Sequence, residues 1–235
     1  MSSRTVSEVL AVAAARMVSD DHDVTGALAA LLSGTVESLG ADAAAILVRP
    51  DTGRLELLAA TSHRTADLEL YQAQVDEGPC VDAVESADAV DAAGADRILA
   101  RWPVVGPVVV ASGYQAVHAT PMRWRGQTFG ALNVFSAVPG ALAGAGPECR
   151  ALADAATLLL VTSGHLGPDH LARSLGEALE ARAVVEQAKG ALAHVRGIGM
   201  GEAFDALLAV AADEGVTLGE AARVIMRRAR ERSLR

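Results

Sequence analysis

The chain has 235 residues, 51% hydrophobic and 21% charged, a globular balance that excludes a disordered polypeptide. The length allows one large domain, or a mid-sized domain followed by a small one; with aromatics at only 3%, the core falls to Ala, Val and Leu. A net charge of −9 excludes a surface that is basic throughout, yet residues 181–235 hold nine Lys/Arg against seven Asp/Glu while the remainder holds eleven against twenty-two. A polyanion would therefore dock on the C-terminal segment.

No apolar run reaches the roughly 18 residues of a membrane span. Arg4 and Glu8 fall in the first turns, and no charged-then-apolar export pattern follows. The expected compartment is the cytoplasm, with no membrane attachment. Cys80 and Cys149 are too few for a disulfide scaffold and lack zinc-ligand spacing, so free thiols are expected in a reducing cytosol.

In chain order, residues 7–17 and 24–39 carry apolar residues at helical spacing, the second stretch ending at Gly40. Two short apolar runs, 43–48 and 55–61, flank the turn sequence Pro50-Asp51-Thr52-Gly53 and read as paired strands. After a long loop come strands at 116–122 and 128–135, joined around Arg125-Gly126. Residues 137–147, rich in Gly and Pro, form a loop, and a helix over 148–163 closes the region. A break at 164–169 leads to three helices, at 171–195, 201–213 and 217–232.

Two local motifs mark the first region. One is Asp76-Glu77-Gly78-Pro79-Cys80-Val81-Asp82-Ala83; the other runs from Ala119-Thr120-Pro121-Met122 through Gly126 to Phe129-Gly130-Ala131-Leu132-Asn133-Val134. On these, and on its order of helix, hairpin, long loop, hairpin and helix, the stretch of about 5–163 resembles a GAF domain. The resemblance implies an α+β fold, a central antiparallel sheet flanked by helices, and a role as a small-molecule or signal sensor whose ligand the family does not specify.

The long C-terminal helix places Ala181, Val184, Val185, Ala188, Ala191, Leu192 and Val195 on one apolar stripe, with Arg182, Glu186, Lys189 and Arg196 expected on the opposite, solvated face. Arg182, Lys189 and Arg196 recur every seven residues, a spacing that suits a phosphate backbone as well as it suits plain solvation. Lys189 is the only lysine, beside nineteen arginines. Gly190 costs roughly 1 kcal/mol inside a helix, which points to a close backbone approach there. The last helix opens with a Thr217/Glu220 capping box. It buries Leu218, Ala221, Ala222, Ile225, Met226 and Ala229, and turns Arg223, Arg227 and Arg230 outward.

Arg182, Gln187-Ala188-Lys189-Gly190, Glu202-Ala203-Phe204, Leu207-Leu208 and the run from Leu218 to Ala222 make residues of about 178–230 resemble an ANTAR domain. That resemblance implies an all-α three-helix unit that binds paired RNA hairpins in nascent transcripts and so favours read-through over termination. It also implies RNA contacts at Arg182, Gln187, Ala188, Lys189 and Gly190, to which the basic faces of the first and last helices of that unit add Arg196, Arg223 and Arg227. RNA polymerase would be engaged only indirectly. The sequence departs from the family pattern at Ala193, and at Asp213 and Glu214, whose charges would oppose RNA. Phe204 is expected in the core.

The expected organisation is a sensory domain over 1–163, a connector over 164–177 and an RNA-binding domain over 178–235. Cys80, Trp102, Tyr114 and His118 are the candidates for a ligand pocket in the sensory half; Trp102 and Tyr114 suit core packing equally, Cys80 better suits the role of a small buried hydrophobe, and His118 suits a pocket or solvent. The six histidines and two cysteines form no ligand-like cluster, so neither metal nor cofactor is expected. No nucleophile–base motif or phosphate loop is present, which argues against an enzyme. Long Ala-rich helices suggest a homodimer. The alternatives are a DNA-binding regulator using the same basic helices, and an enzyme of the free methionine sulfoxide reductase type, which would need clustered cysteines.

Overall fold

The hexapeptide Ala43–Val48 contains no polar residue, and in the computed structural model it is strand β1, buried at every position. Such a strand must be covered on both faces. It pairs with β2 (Glu56–Ala60) on one side and β5 (Gln127–Ser136) on the other; β4 (Ala116–Trp124) and β3 (Val90–Ala93) complete the sheet. The order is β2-β1-β5-β4-β3, antiparallel throughout. The structure describes residues 4–18, 23–50, 53–162 and 170–233, with the side chains of His170 and of residues from 230 onward outside that description. Asp51, Thr52, the break expected at 164–169 and the Arg230 side chain therefore lie outside the described residues.

The β4–β5 hairpin turns at Arg125 and Gly126, both at positive φ (50° and 83°), a two-residue turn whose twist matches that of its strands. Five residues on, Gly130 passes against the Leu47 carbonyl of β1 so closely that a Cβ would collide with it.

Alternation along the strands sends Ala44, Ile46, Leu132 and Val134 to one face, where α1 (Val6–Val18), α2 (Val24–Leu39) and α7 (Gly146–Thr162) cover them. Ala45, Leu47, Val117 and Phe135 take the other face. There they meet α3 (His63–Val75), α4 (Pro79–Ser86), α5 (Ala95–Arg101) and α6 (Gly106–Ala111). The stretch between the hairpins, expected as a loop, is thus largely helical. That expectation fails because α3 turns Thr65, Glu69 and Gln72 inward beside Leu68, so the helix carries no apolar stripe.

The C-terminal unit is α8 (His170–Arg196), α9 (Met200–Glu214) and α10 (Leu218–Ser233). The 27 residues of α8 span roughly 40 Å and serve two cores. Leu175 and Ala178 pack into the cluster on the first face of the sheet. Val185, Ala188 and Leu192 pack with Ala203, Leu207, Ala221 and Ala222 of α9 and α10. No helix among the described residues is long and apolar enough to cross a membrane.

Candidate functional site

Apart from Arg196, the charged stripe of α8 does not face solvent as expected. Arg182, Glu186 and Lys189 line a cleft of about 100 Å³ whose far wall is the edge strand β2 with Thr61, Ser62 and His63 at the start of α3. The Lys189 side chain is only 13% exposed. Its Nζ donates to both carboxylate oxygens of Glu186, at 2.9 and 3.0 Å, and lies 5.3 Å from the Phe204 ring centroid. Arg182 is half-buried, and loss of water lowers its pKa against the opposing pull of Glu186. The face of α8 that meets solvent is instead Ala183, Gln187, Gly190 and His194, about a quarter-turn round the helix.

The expected RNA-contacting set therefore divides. Gln187, Gly190, Arg196, Arg223 and Arg227 are exposed; Arg182 and Lys189 face the sheet-bearing domain. Ala188 is fully buried in the three-helix core, where small size lets the helices approach, so it is corrected to a packing residue. Val195, expected on the buried stripe, is 59% exposed. The close backbone approach inferred at Gly190 is also absent: a Cβ there would meet open space. Glu214, expected to repel RNA, sits 3.6 Å from Arg228. Phe204 packs on the bundle core as expected, and in addition lines the cleft.

A residue that the sequence reading missed joins the two domains. Asp23 is the N-cap of α2, its Oδ1 accepting from Gly26 N–H at 3.0 Å. Its Oδ2 accepts from Leu218 N–H, the first residue of α10, at 3.1 Å. One carboxylate thus meets the positive ends of two helices from different domains. Thr217 and Glu220 complete the start of α10 with the expected reciprocal hydrogen bonds at 3.0 and 3.1 Å. A second cleft, of about 540 Å³, opens beside Asp23 between α2 and the α9–α10 side of the bundle.

In the sheet-bearing half the four pocket candidates do not converge. Cys80, Trp102 and Tyr114 lie in the core on the α3–α6 face, whereas His118 alternates to the α7 face. Trp102 Nε1 donates to Asp82 Oδ2 at 3.1 Å; the Tyr114 ring stacks on Phe135 at 5.0 Å and its hydroxyl meets Thr65 Oγ1 at 3.0 Å. Burial lowers the pKa of His118, leaving its imidazole neutral, and its Nε2 has no hydrogen-bond partner. The motif of residues 76–83 is architectural. Glu77 Oε1 accepts from Val104 and Val105 N–H at 2.7 and 2.8 Å, and Asp82 holds Arg101 at 3.0 Å. Gly78, at φ 135°, leaves room for the Gln72 side chain, whose Oε1 accepts from Cys80 N–H at 2.8 Å.

Gln72 leads to a buried polar cluster. Its Nε2 donates to Glu69 Oε2 at 2.7 Å, and Asn133 Nδ2 meets Glu69 Oε1 at 2.7 Å. Burial raises the Glu69 pKa to about 8, against the lowering effect of those two amides. No sequence signal announced Glu69, since a lone acid in a polar helix reads as solvated.

A sheet clad with helices on both faces is thus joined by one long helix to a small three-helix bundle. The GAF domain profile matches residues 23–162 and the ANTAR domain profile residues 173–226. The chain belongs to the GAF domain family and carries an ANTAR domain after it. Two solved structures agree on the fold, and a third is matched more loosely. The GAF domain of an Acinetobacter phosphoenolpyruvate-protein phosphotransferase is 12% identical, over 68% of this chain and 96% of that one, with a TM-score of 0.51. The phycoerythrobilin-bound GAF domain of a cyanobacterial phytochrome is 14% identical, over 69% and 97%, with a TM-score of 0.50. A type II free methionine-R-sulfoxide reductase from Thermoplasma acidophilum is 20% identical, over 58% and 91%, with a TM-score of 0.46. No curated protein sequence matches the chain.

Proposed function

We propose that the chain is a signal-responsive RNA-binding antiterminator, in which the GAF domain senses a small molecule or partner and the ANTAR domain stabilises paired hairpins of nascent RNA against a terminator. The observation that carries this reading is the joining of the two cores by α8, which runs unbroken from the sheet-bearing domain into a bundle with Arg223 and Arg227 exposed. Phosphate contacts by such residues supply affinity, and unpaired loop bases supply specificity. Polymerase is engaged through the RNA alone, in the cytoplasm, with the units taken as 1–163 and 178–235. A free methionine sulfoxide reductase chemistry would need clustered cysteines, and Cys80 and Cys149 lie on opposite faces of the sheet.

The test is a titration of fluorescent tandem stem–loop RNA at several salt concentrations, with circular dichroism as the fold control. Arg223→Ala and Arg227→Ala should each flatten the log–log salt dependence by about 0.7 to 0.9. Arg182→Ala and Lys189→Ala should weaken binding of whatever fraction presents that face. Unchanged affinity and slope in all four variants would remove RNA binding from this surface.

One observation favours a second reading. Only Gly215, Val216 and Thr217 separate α9 from α10, a turn short enough for a DNA-reading helix pair. Duplex DNA of the same sequence competing as well as the RNA would establish that reading instead.

A further inference from the structure

We infer that this arrangement is the closed, RNA-excluding state of the chain, in which the GAF domain covers the Arg182–Glu186–Lys189 face of α8 and Asp23 latches it shut by capping α10. The inference rests on the RNA-binding reading above and adds its regulation. Three observations carry it. First, Lys189 and Arg182 face β2 and the start of α3 across a gap far too small for a nucleic-acid strand, and Glu186 already occupies the lysine. Second, the covering body is acidic. Residues 1–163 hold ten Lys/Arg against nineteen Asp/Glu, so this body attracts the basic unit and repels an approaching polyanion.

Third, the interface is built to separate. Asp23 to Leu218 is a cross-domain hydrogen bond at 3.1 Å, and clefts flank α2 on both sides of it, with Ala29 lining both. Open clefts forfeit the dispersion contacts that would fix two bodies together. A signal that reshapes the GAF domain needs only to displace the start of α2, from which Asp23 projects, to release α10 and open the cleft. Domain contacts of this loose kind make relative motion the default expectation.

Lys189 is the only lysine, so an amine-reactive acylating reagent followed by peptide mass spectrometry reads the exposure of that face directly, without RNA. The experiment compares the full chain with Asp23→Ser and Ala29→Glu. Serine still caps α2, but a single hydroxyl does not serve α10 as well. The second variant wedges a charge into the clefts without touching either core. Both should keep the wild-type circular dichroism, acylate Lys189 about tenfold faster, and bind a pool of tandem stem–loops with randomised loops about tenfold more tightly, the size of one charge-assisted hydrogen bond net of solvation. Wild-type Lys189 reacting as fast as in urea-unfolded chain overturns the closed state, even where RNA binding through Lys189 is demonstrated. Slow acylation unchanged in both variants overturns the latch. Faster acylation with no RNA bound by any of the three proteins removes the RNA reading, and the inference with it.

Discussion

Glu69 and Asn133 meet at 2.7 Å, sealed between α3 and the central strand β5. Both are fully buried, and Asn133 Oδ1 has no hydrogen-bond partner. A carboxyl with a pKa of about 8 keeps its proton at neutral pH, and an Asn amide turned so that its oxygen faces Glu69 accepts it, since the two amide orientations fit the same outline. The cluster is a neutral polar core, and its stability follows the proton.

The sign is set by the raised pKa. Below about pH 4.5, the ordinary value, folded and unfolded chains both hold the proton and the full contribution is present. As pH rises toward about 8 the unfolded chain releases a proton that the folded chain retains, so stability falls, on the order of 1 kcal/mol per unit. Glu69→Gln removes this slope while keeping the hydrogen-bonding groups. Melting temperatures between pH 5 and 8 should fall more steeply for wild type than for the variant; parallel curves would show that Glu69 does not titrate in this window.

Cys80 and Cys149 are free and buried. Burial is the main cause that holds the Cys80 thiol well above its ordinary range and pushes Cys149 up to about 12, with Glu69 and Glu148 adding to it. Both should be inert to a thiol-reactive dye at pH 8 in the native protein and react together on unfolding. Rapid native labelling of Cys80 would reveal an access route to the α3–α6 face.

Gly130 and Gly190 should respond oppositely to alanine. At Gly130 the new Cβ would strike the Leu47 carbonyl, so Gly130→Ala should destabilise by about 1–3 kcal/mol. At Gly190 it would meet nothing, so Gly190→Ala should stabilise α8 by about 1 kcal/mol. Denaturant titration separates the two; a destabilised Gly190→Ala would mean that the exposed face of α8 has a neighbour in solution.

The expected homodimer needs a surface other than the Ala-rich helix stripes. The stripes of α7 and of the first turns of α8 are already buried within one chain. Val12 on α1 and Leu158 on α7, 46% and 43% exposed on two helices that pack together, are the residues a second copy would cover. Leu158→Arg should convert a dimer to monomer in sedimentation; a wild type that is monomeric at micromolar concentration rules the dimer out.

Much of this was legible in order along the chain. Continuous apolar runs marked β1 and its partners, Arg125-Gly126 marked the hairpin, and the 3.6-residue period of Val185, Ala188 and Leu192 marked the bundle, because each signal is local. The helices between the hairpins were not legible, since Glu69 and Gln72 point inward to bond each other and Thr65 to meet the Tyr114 hydroxyl, rather than to bury apolar area. Nor could spacing alone tell which side of Lys189 would be wet. The period of α8 fixes that Arg182, Glu186 and Lys189 share a face, but a face is solvent-exposed only by default. The tertiary structure placed β2 against it and Asp23 at the start of α10, 195 residues away in sequence, and a contact across that separation is set by how two cores dock along one helix.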